Sequence, residues 1–469
     1  MSISHENDQP APRVTVIGTG YLGATHAVCM AIMGFDVLGV DVDQRKIDML
    51  SAGKVPFFEP GLPEKLEEAL ASGRLRFSTD FDEAAAFGDV HFVCVGTPQA
   101  PNSSAADLRY VEAAFTALAT RIDRKALLVG KSTVPIGTAA RITSMVQSLS
   151  PLGTELELAW NPEFLREGFA VQDTLFPDRL VFGVSSEWAE DQLRRVFKPI
   201  LDLDTPVIVA DLATSELVKV AANSFLATKI SFINAMAEIC EATGADVNQL
   251  AKALSLDDRI GGRFLKPGLG FGGGCLPKDI RAFKHRAEEL GVGQAVSFLG
   301  EVDSINNRRR VRTVDLIREL AGGSLAGVRV AALGAAFKPN SDDVRDAPAL
   351  DVARLLYLEG AIVSVYDPEA NANAHRAYPD LNYVGSMAEA VEKADVVALL
   401  TEWSEFRNAD PDTLGALVNH RRILDGRHAL NANEYTAKGW QYRALGRPAQ
   451  AATVELASDV RDEAPTLAL

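Results

Sequence analysis

Short apolar runs alternate with amphipathic stretches along the chain, the pattern of buried strands connected by covering helices. Residues 13–23, RVTVIGTGYLG, form a β-rich run that enters a glycine turn, and Ala24 to Met33 follow with helical composition. The run FDVLGVD ends at Asp41, and further strands are expected over Val90–Val95 and Ala126–Lys131. From Ser215 to Thr243 the period changes. Val218, Ala222, Phe225, Phe232, Met236 and Ile239 recur at three- and four-residue spacing, which predicts one long helix with that stripe packed at a centre. A second strand set is expected at Val328–Leu333, Ile362–Tyr366, Val396–Leu400 and Ile423–Asp425.

This order predicts an α/β protein: two Rossmann-like, doubly wound domains joined by a central long-helix region. The expected divisions are a disordered 1–12, a dinucleotide-binding domain at 13–210, a central helical region at 211–310, a second Rossmann-like domain at 311–445 and a disordered tail at 446–469. A length of 469 residues is consistent with several domains, and 47% hydrophobic with 23% charged residues is a soluble globular composition. No uncharged apolar run reaches the roughly 18 residues that a bilayer crossing needs, and the polar start MSISHENDQPAPR lacks a signal-peptide core, so the cytoplasm is the expected compartment. The four cysteines, Cys29, Cys94, Cys240 and Cys275, form neither a metal spacing nor a disulfide framework. A net charge of −16 argues against nucleic acid and anionic membranes as partners, so an anionic ligand must be held by local donors.

Gly18, Gly20 and Gly23 make a G-x-G-x-x-G turn between a strand and a helix, with Tyr21 and Leu22 opening the helix. Such a turn lets backbone amides approach a pyrophosphate. Asp41, closing the second strand, suits a ribose diol and repels a 2′-phosphate, which favours NAD, although Arg45 and Lys46 stand close by. Thr97 and Thr133 follow later strands, where ligands meet such sheets, but the Thr133 hydroxyl also suits the turn before Pro135. In Trp160-Asn-Pro-Glu163-Phe-Leu-Arg-Glu167 two carboxylates are four apart and share a face if that turn is helical; solvated carboxylates are the plainer reading. Lys219 and Asn223 share a face of the long helix, where Lys219 either enters a cleft or snorkels from the core edge. Gly268, Gly270, Gly272, Gly273 and Gly274 precede Cys275, Lys278 and Asp279, and form either a ligand-covering loop or a hinge. Cys29, Cys94 and Cys240 lie in apolar patterns and read as buried hydrophobes, whereas Cys275 does not. A nearby cation, Lys219 or Lys278, is expected to raise its thiolate fraction. In the second half the turn Gly334-Ala-Ala-Phe-Lys338 lacks the dinucleotide pattern and suits a mononucleotide better, with Lys338, Arg345 and Arg427 as candidate anion ligands or as solvated charges.

From Val14 to Leu445 the chain resembles the UDP-glucose/GDP-mannose dehydrogenase family, on its UDP-glucose branch. GTGYLG, EPGL, VGTP, KSTVPIGT, NPEFLREG, PDR, ELVKVAANSFLA, RIGGRFLKPGLGFGGGCLPKD and AFKPNSDDVRD carry the resemblance in this order. It implies oxidation of UDP-glucose to UDP-glucuronate with two NAD and no metal, Cys275 being the nucleophile. It further implies Lys219, Asn223 and Asp279 for oxyanion and water, and Thr133 and Glu163 for water placement and acid–base work. Lys46, Thr97, Thr133, Glu167, Lys278 and Arg345 would join the glycine turn and Asp41 around NAD. Glu163, Phe164, Leu165, Lys219, Asn223, Phe264, Lys266, Gly272, Phe337, Lys338 and Arg427 would hold the sugar nucleotide, with Arg259 reaching across a homodimer interface formed by the central helix. Sister specificities for GDP-mannose or a UDP-N-acetylhexosamine share this catalytic set. A two-electron hydroxyacid dehydrogenase and a non-catalytic nucleotide-sugar sensor are the remaining rivals. Gly274 stands where serine is common in the family, and Phe176 where a polar residue is usual.

Overall fold

The computed structural model describes residues 10–448. Most of the polar start and of the tail expected to be disordered therefore lies outside the described residues. Gly446 and Arg447, expected in that tail, are tied down: the Gly446 amide donates to Glu241 at 2.7 Å, and Arg447 pairs with Asp246 at 3.0 Å.

The first half is an eight-stranded sheet made of β1 (Val14–Ile17), β2 (Val37–Val40), β3 (Leu75–Ser78), β4 (Val90–Val93), β5 (Leu127–Gly130), β6 (Glu157–Trp160), β7 (Leu180–Gly183) and β8 (Val207–Ala210). Its order is β3-β2-β1-β4-β5-β6-β7-β8, parallel throughout except where β6 meets β7. Strands such as VTVI and LLVG are buried along their whole length, as a sheet covered on both faces requires. The chain reverses its direction of travel between β1 and β4, which opens a crevice at the carboxyl ends. The second half repeats the plan with β9 (Arg329–Leu333), β10 (Ile362–Tyr366), β11 (Asn382–Tyr383), β12 (Val396–Leu399), β13 (Arg422–Asp425) and β14 (Gln441–Ala444), in the order β11-β10-β9-β12-β13-β14.

The helix Leu212–Thr243 joins the halves, capped by the Asp211 side chain at one end and Gly244 at the other. The apolar stripe expected to be its packed face is largely its outer one. Phe225, Phe232 and Ile239 are exposed, while Ser215, Lys219, Asn223, Ala227, Ser231 and Asn234 are buried. The two stripes lie on nearly opposite sides of the helix, about 155° apart, and the small and polar one faces the rest of the chain. The boundary expected at 310/311 falls inside the helix Phe298–Ala321. That helix serves two cores, since Leu299 and Val302 pack in the central cluster and Val314, Leu316, Ile317 and Leu320 pack in the second domain.

Candidate active site

At the β1 turn, Gly18 has φ +88°, and a side chain on Gly23 would meet the Gly18 carbonyl oxygen at 1.8 Å, so strand and helix touch through glycine alone. A side chain at Gly20 would meet nothing within 4 Å, which leaves the N-terminus of the helix Tyr21–Ile32 open toward the crevice. Asp41 is buried behind this turn and accepts from the Thr19 amide at 2.8 Å, with Lys46 at 3.4 Å. Tyr21 does not face outward. Its hydroxyl donates to Glu59, whose carboxylate also accepts from the amides of Gly168 (2.6 Å) and Ala170 (2.7 Å), so the glycine turn is tied to the segment that follows β6. Leu22 packs on the sheet core.

That segment is an extended loop, not a helical turn, and Glu163 and Glu167 consequently part company. Glu163 accepts from Lys219 Nζ at 2.9 Å and from the Leu165 amide at 2.7 Å, and the Lys219 ammonium lies over the Phe164 ring at 5.5 Å. Glu167 turns to the second domain, where Ser341 donates to it at 3.0 Å and Arg345 lies 3.6 Å away. Burial, with Asp343 assisting, pushes Glu167 up to about 7 against the pull of Arg345 and Lys338.

Cys275 caps the N-terminus of the helix Leu276–Glu289. Beside it, Asn223 donates to Asp279 at 2.7 Å and Lys278 pairs with the same carboxylate. A cavity lined by Thr97, Thr133, Lys278 and Asp279 joins the carboxyl ends of the first sheet to this helix, and Thr97 donates to the Thr133 carbonyl at 2.8 Å. Cys275 is exposed, whereas Cys29, Cys94 and Cys240 are buried as expected. Protein packed around the sulfur at longer range, more than the open surface of the residue, sets its charge. Desolvation pushes the thiol up to about 11, Glu163 adds to the rise, and Lys219 and Lys278 oppose it. The cations act in the expected direction and are outweighed. Lys219 is buried, which disfavours its charge, yet Glu163, Cys275 and Asp279 together hold it above the ordinary lysine range.

The glycine loop is anchored by two buried amides: Asn234 accepts from the Gly268 amide at 2.9 Å, and Asn306 exchanges bonds of 2.8 and 2.9 Å with the Phe271 backbone. A side chain at Gly272 would strike the Asp346 carbonyl oxygen at 2.3 Å, and one at Gly273 the Phe337 ring at 2.9 Å. At Gly274 the space is taken by Arg345, whose guanidinium carbon lies 2.2 Å from where a Cβ would stand, with Asp343 holding that guanidinium at 2.6 Å. A serine there would displace it.

Arg427 departs from expectation. Its guanidinium is buried and donates to the carbonyls of Leu400 (2.8 Å), Gly270 (3.0 Å) and Phe337 (3.2 Å), clamping the glycine loop to the second domain instead of presenting free donors to a phosphate. Lys338 stays at the cleft, half-buried, and burial holds it below the ordinary lysine range although Glu167 and Cys275 oppose this. Arg259 is turned onto Asp257 at 2.6 Å with its side chain 89% exposed, and Lys266 and Phe264 are exposed, so a single chain does not gather these three at the thiol. Asp343, Ser341, Asn234 and Asn306 were missed in the sequence. Both asparagines lie within continuous helices, and of the two Asn234 does carry a signal, as an amide standing in the apolar run Phe232-Ile-Asn-Ala-Met236.

The arrangement joins a dinucleotide-type turn to a cleft that holds a thiol and two ammonium–carboxylate pairs, Lys219–Glu163 and Lys278–Asp279. Residues 12–201, 213–308 and 331–432 match, in order, the NAD binding domain, the central domain and the UDP binding domain of the UDP-glucose/GDP-mannose dehydrogenase family. A UDP-glucose 6-dehydrogenase of Rhizobium meliloti is 39% identical over 438 residues, 93% of this chain and 100% of the relative. A UDP-glucose dehydrogenase structure from Pyrobaculum islandicum superposes with a TM-score of 0.86 at 38% identity, covering 94% of this chain and 99% of that one. A UDP-D-ManNAc dehydrogenase structure from Pyrococcus horikoshii gives 0.81 at 26% identity, covering 93% and 99%. With all three domains matched in sequence and in fold, the chain belongs to the UDP-glucose/GDP-mannose dehydrogenase family.

Proposed function

We propose that this chain is an NAD-dependent oxidoreductase that takes UDP-glucose to UDP-glucuronate in two successive oxidations, with Cys275 holding the sugar between them. The observation that carries this reading is the placement of the exposed thiol at a helix N-terminus, beside the Lys219–Glu163 and Asn223–Asp279 pairs. An alcohol-to-carbonyl dehydrogenase has no use for a thiol there; an alcohol-to-acid enzyme does.

The residues present fit NAD: the open face of Gly20, the amides of the following helix, the Asp41 carboxylate, and Thr97, Thr133 and Lys278 at the adjoining cavity. When bound, NAD supplies a hydride acceptor for each oxidation of the sugar C6. Lys219 and Asn223 supply donors where oxygen gains negative charge. Glu163 and Asp279, each held by a cation or an amide, are placed to accept protons and orient water. The Cys275 sulfur adds to the C6 aldehyde, its proton passing to oxygen, to give a thiohemiacetal. Oxidation of that adduct gives a thioester. Water then attacks the carbonyl carbon, the C–S bond breaks, and the acid and the free thiol result. A thiol with a raised pKa is a neutral resting group, so its proton must leave as the bond forms.

Sugar-nucleotide binding we assign to the loop Phe264–Gly272 with Lys338, a local positive charge at the cleft of a chain whose net charge is −16. The exposed Leu217, Phe225, Phe232 and Ile239 support a homodimer through the central helix, which would also bring Arg259 of one chain toward the other. A working thiol suits a reducing compartment, the cytoplasm. The choice of UDP-glucose over a sister sugar rests on relatives of that name at 38–39% identity, against 26% for the ManNAc enzyme. A panel of sugar nucleotides followed by NADH absorbance tests it. Two NADH per UDP-glucose are expected; two per GDP-mannose with none from UDP-glucose would overturn the assignment.

A further inference from the structure

One buried cation under the site is not used by the mechanism above. Lys131 follows β5, and its side chain is buried. Its hydrogen-bond partner is an amide, not a carboxylate: Nζ donates to Asn161 Oδ1 at 2.8 Å. The ammonium lies 5.7 Å from the ring centroids of both Phe92 and Phe197. Beyond these, His26 stands edge-on to Phe92 at 4.6 Å and is held neutral by burial and by the lysine charge. The other charged or titratable groups facing Lys131 are Cys94, Glu163 and Lys219. Asn161, in turn, is wholly buried. Its backbone amide donates to the Gly130 carbonyl at 2.8 Å and its Nδ2 to the Val181 carbonyl at 3.0 Å. Since Nδ2 is committed to Val181, Oδ1 needs a donor, and Lys131 is that donor. Two residues later the same turn delivers Glu163 to Lys219.

We propose that Lys131 is a positioning residue for the oxidation: through Asn161 it fixes the turn that carries Glu163, and its charge sets the field on the Glu163–Lys219 pair from behind. It does not touch substrate. A lysine kept only for packing would be replaced without loss by an apolar chain of the same length, because a buried ammonium is costly to desolvate. Burial pushes Lys131 down to about 8, with Cys94 and Glu163 opposing and Lys219 assisting. Its charge is therefore present below about pH 8 and lost as pH rises through that value.

This inference rests on the oxidation proposed above, and one set of pH–rate profiles separates the two. In the wild-type holoenzyme kcat should fall as pH rises through about 8. Lys131→Met should lose that alkaline limb, with kcat at pH 7 lowered about tenfold and KM for NAD and sugar nucleotide within about twofold. Lys131→Arg, charged throughout, should also lose the limb while keeping kcat at pH 7 within about threefold. A limb in Lys131→Arg at the wild-type position, or a wild type without one, overturns the proposal; if the Met variant does not fold, the Arg variant decides alone. Absence of NADH from UDP-glucose in the wild type would sink the substrate reading instead, and the profiles would then be taken with whichever sugar nucleotide of the panel is oxidised.

Discussion

The two sheets begin alike and end in different chemistry. After β1, Gly18 has φ +88° and Asp41, just beyond β2, accepts an amide of the turn; after β9, Gly334 has φ +113° and Asp367, just beyond β10, accepts the amides of Ala335 and Ala336 at 2.8 and 2.9 Å. In the first half a helix follows at once, from Tyr21, with open space before Gly20. In the second the helix waits until Pro348, and the intervening residues carry Phe337, Asp343 and Arg345 to the cysteine loop and Ser341 to Glu167. Asp367 is fully engaged, taking also the amides of Glu369 and Ala370 and the Trp403 indole. One strand–turn unit thus gives Asp41 the amides of Thr19 and Asp43 but leaves open space at Gly20, before its helix. The other consumes its amides internally and spends the insertion on building a second wall of the site.

The sharpest way to break this contrast is to weaken both carboxylates. Asp367→Asn replaces an acceptor oxygen with a donor among buried N–H groups and should cost about 3–5 kcal/mol in urea unfolding. Asp41→Asn should cost about 1 kcal/mol while raising KM for NAD about tenfold. Equal stability losses would mean that the two turns do the same job. The glycines offer a second comparison. Gly20→Val should keep stability within about 1 kcal/mol and weaken NAD binding about a hundredfold, read by titration calorimetry. Gly334→Val, with Thr401 within 2.5 Å of the new carbon, should lower stability by about 2–4 kcal/mol. Where the halves meet, iodoacetamide labelling of the resting enzyme should quicken about tenfold per pH unit from 7 to 9 at Cys275, whose thiol is pushed up to about 11, while buried Cys29 and Cys94 stay unlabelled. The smallest effect is expected from Gly274→Ser: displacing Arg345 from its slot should change kcat by about two- to threefold and leave Tm unchanged, because the clashing atoms are the end of a flexible chain.

The strands, the glycine turn and the order of domains were legible in the sequence, because buried parallel strands are continuous apolar runs and positive-φ turns select glycine. The inward face of the central helix was not. Hydrophobicity points to Phe225, Phe232 and Ile239, yet the interior of this chain takes Lys219, Asn223 and Asn234, each answered by a partner distant in sequence: Glu163, Asp279 and Gly268. A single chain's pattern cannot distinguish an apolar stripe meant for its own core from one left for another surface. The split of Glu163 from Glu167 was hidden for a related reason. Four-residue spacing has meaning only on a helix, and Pro162 begins an extended loop. Arg427 was legible as a cation near the site, but its three carbonyl partners come from three separate segments.

The most direct test of the central claim is the mass of the Cys275 peptide after acid quenching of the enzyme turning over UDP-glucose with excess NAD. A covalent sugar-nucleotide adduct on that peptide, absent in Cys275→Ala, together with two NADH formed for each acid released, is the expected result. Acid production at an undiminished rate by Cys275→Ala, with no adduct on the wild-type peptide, would contradict it.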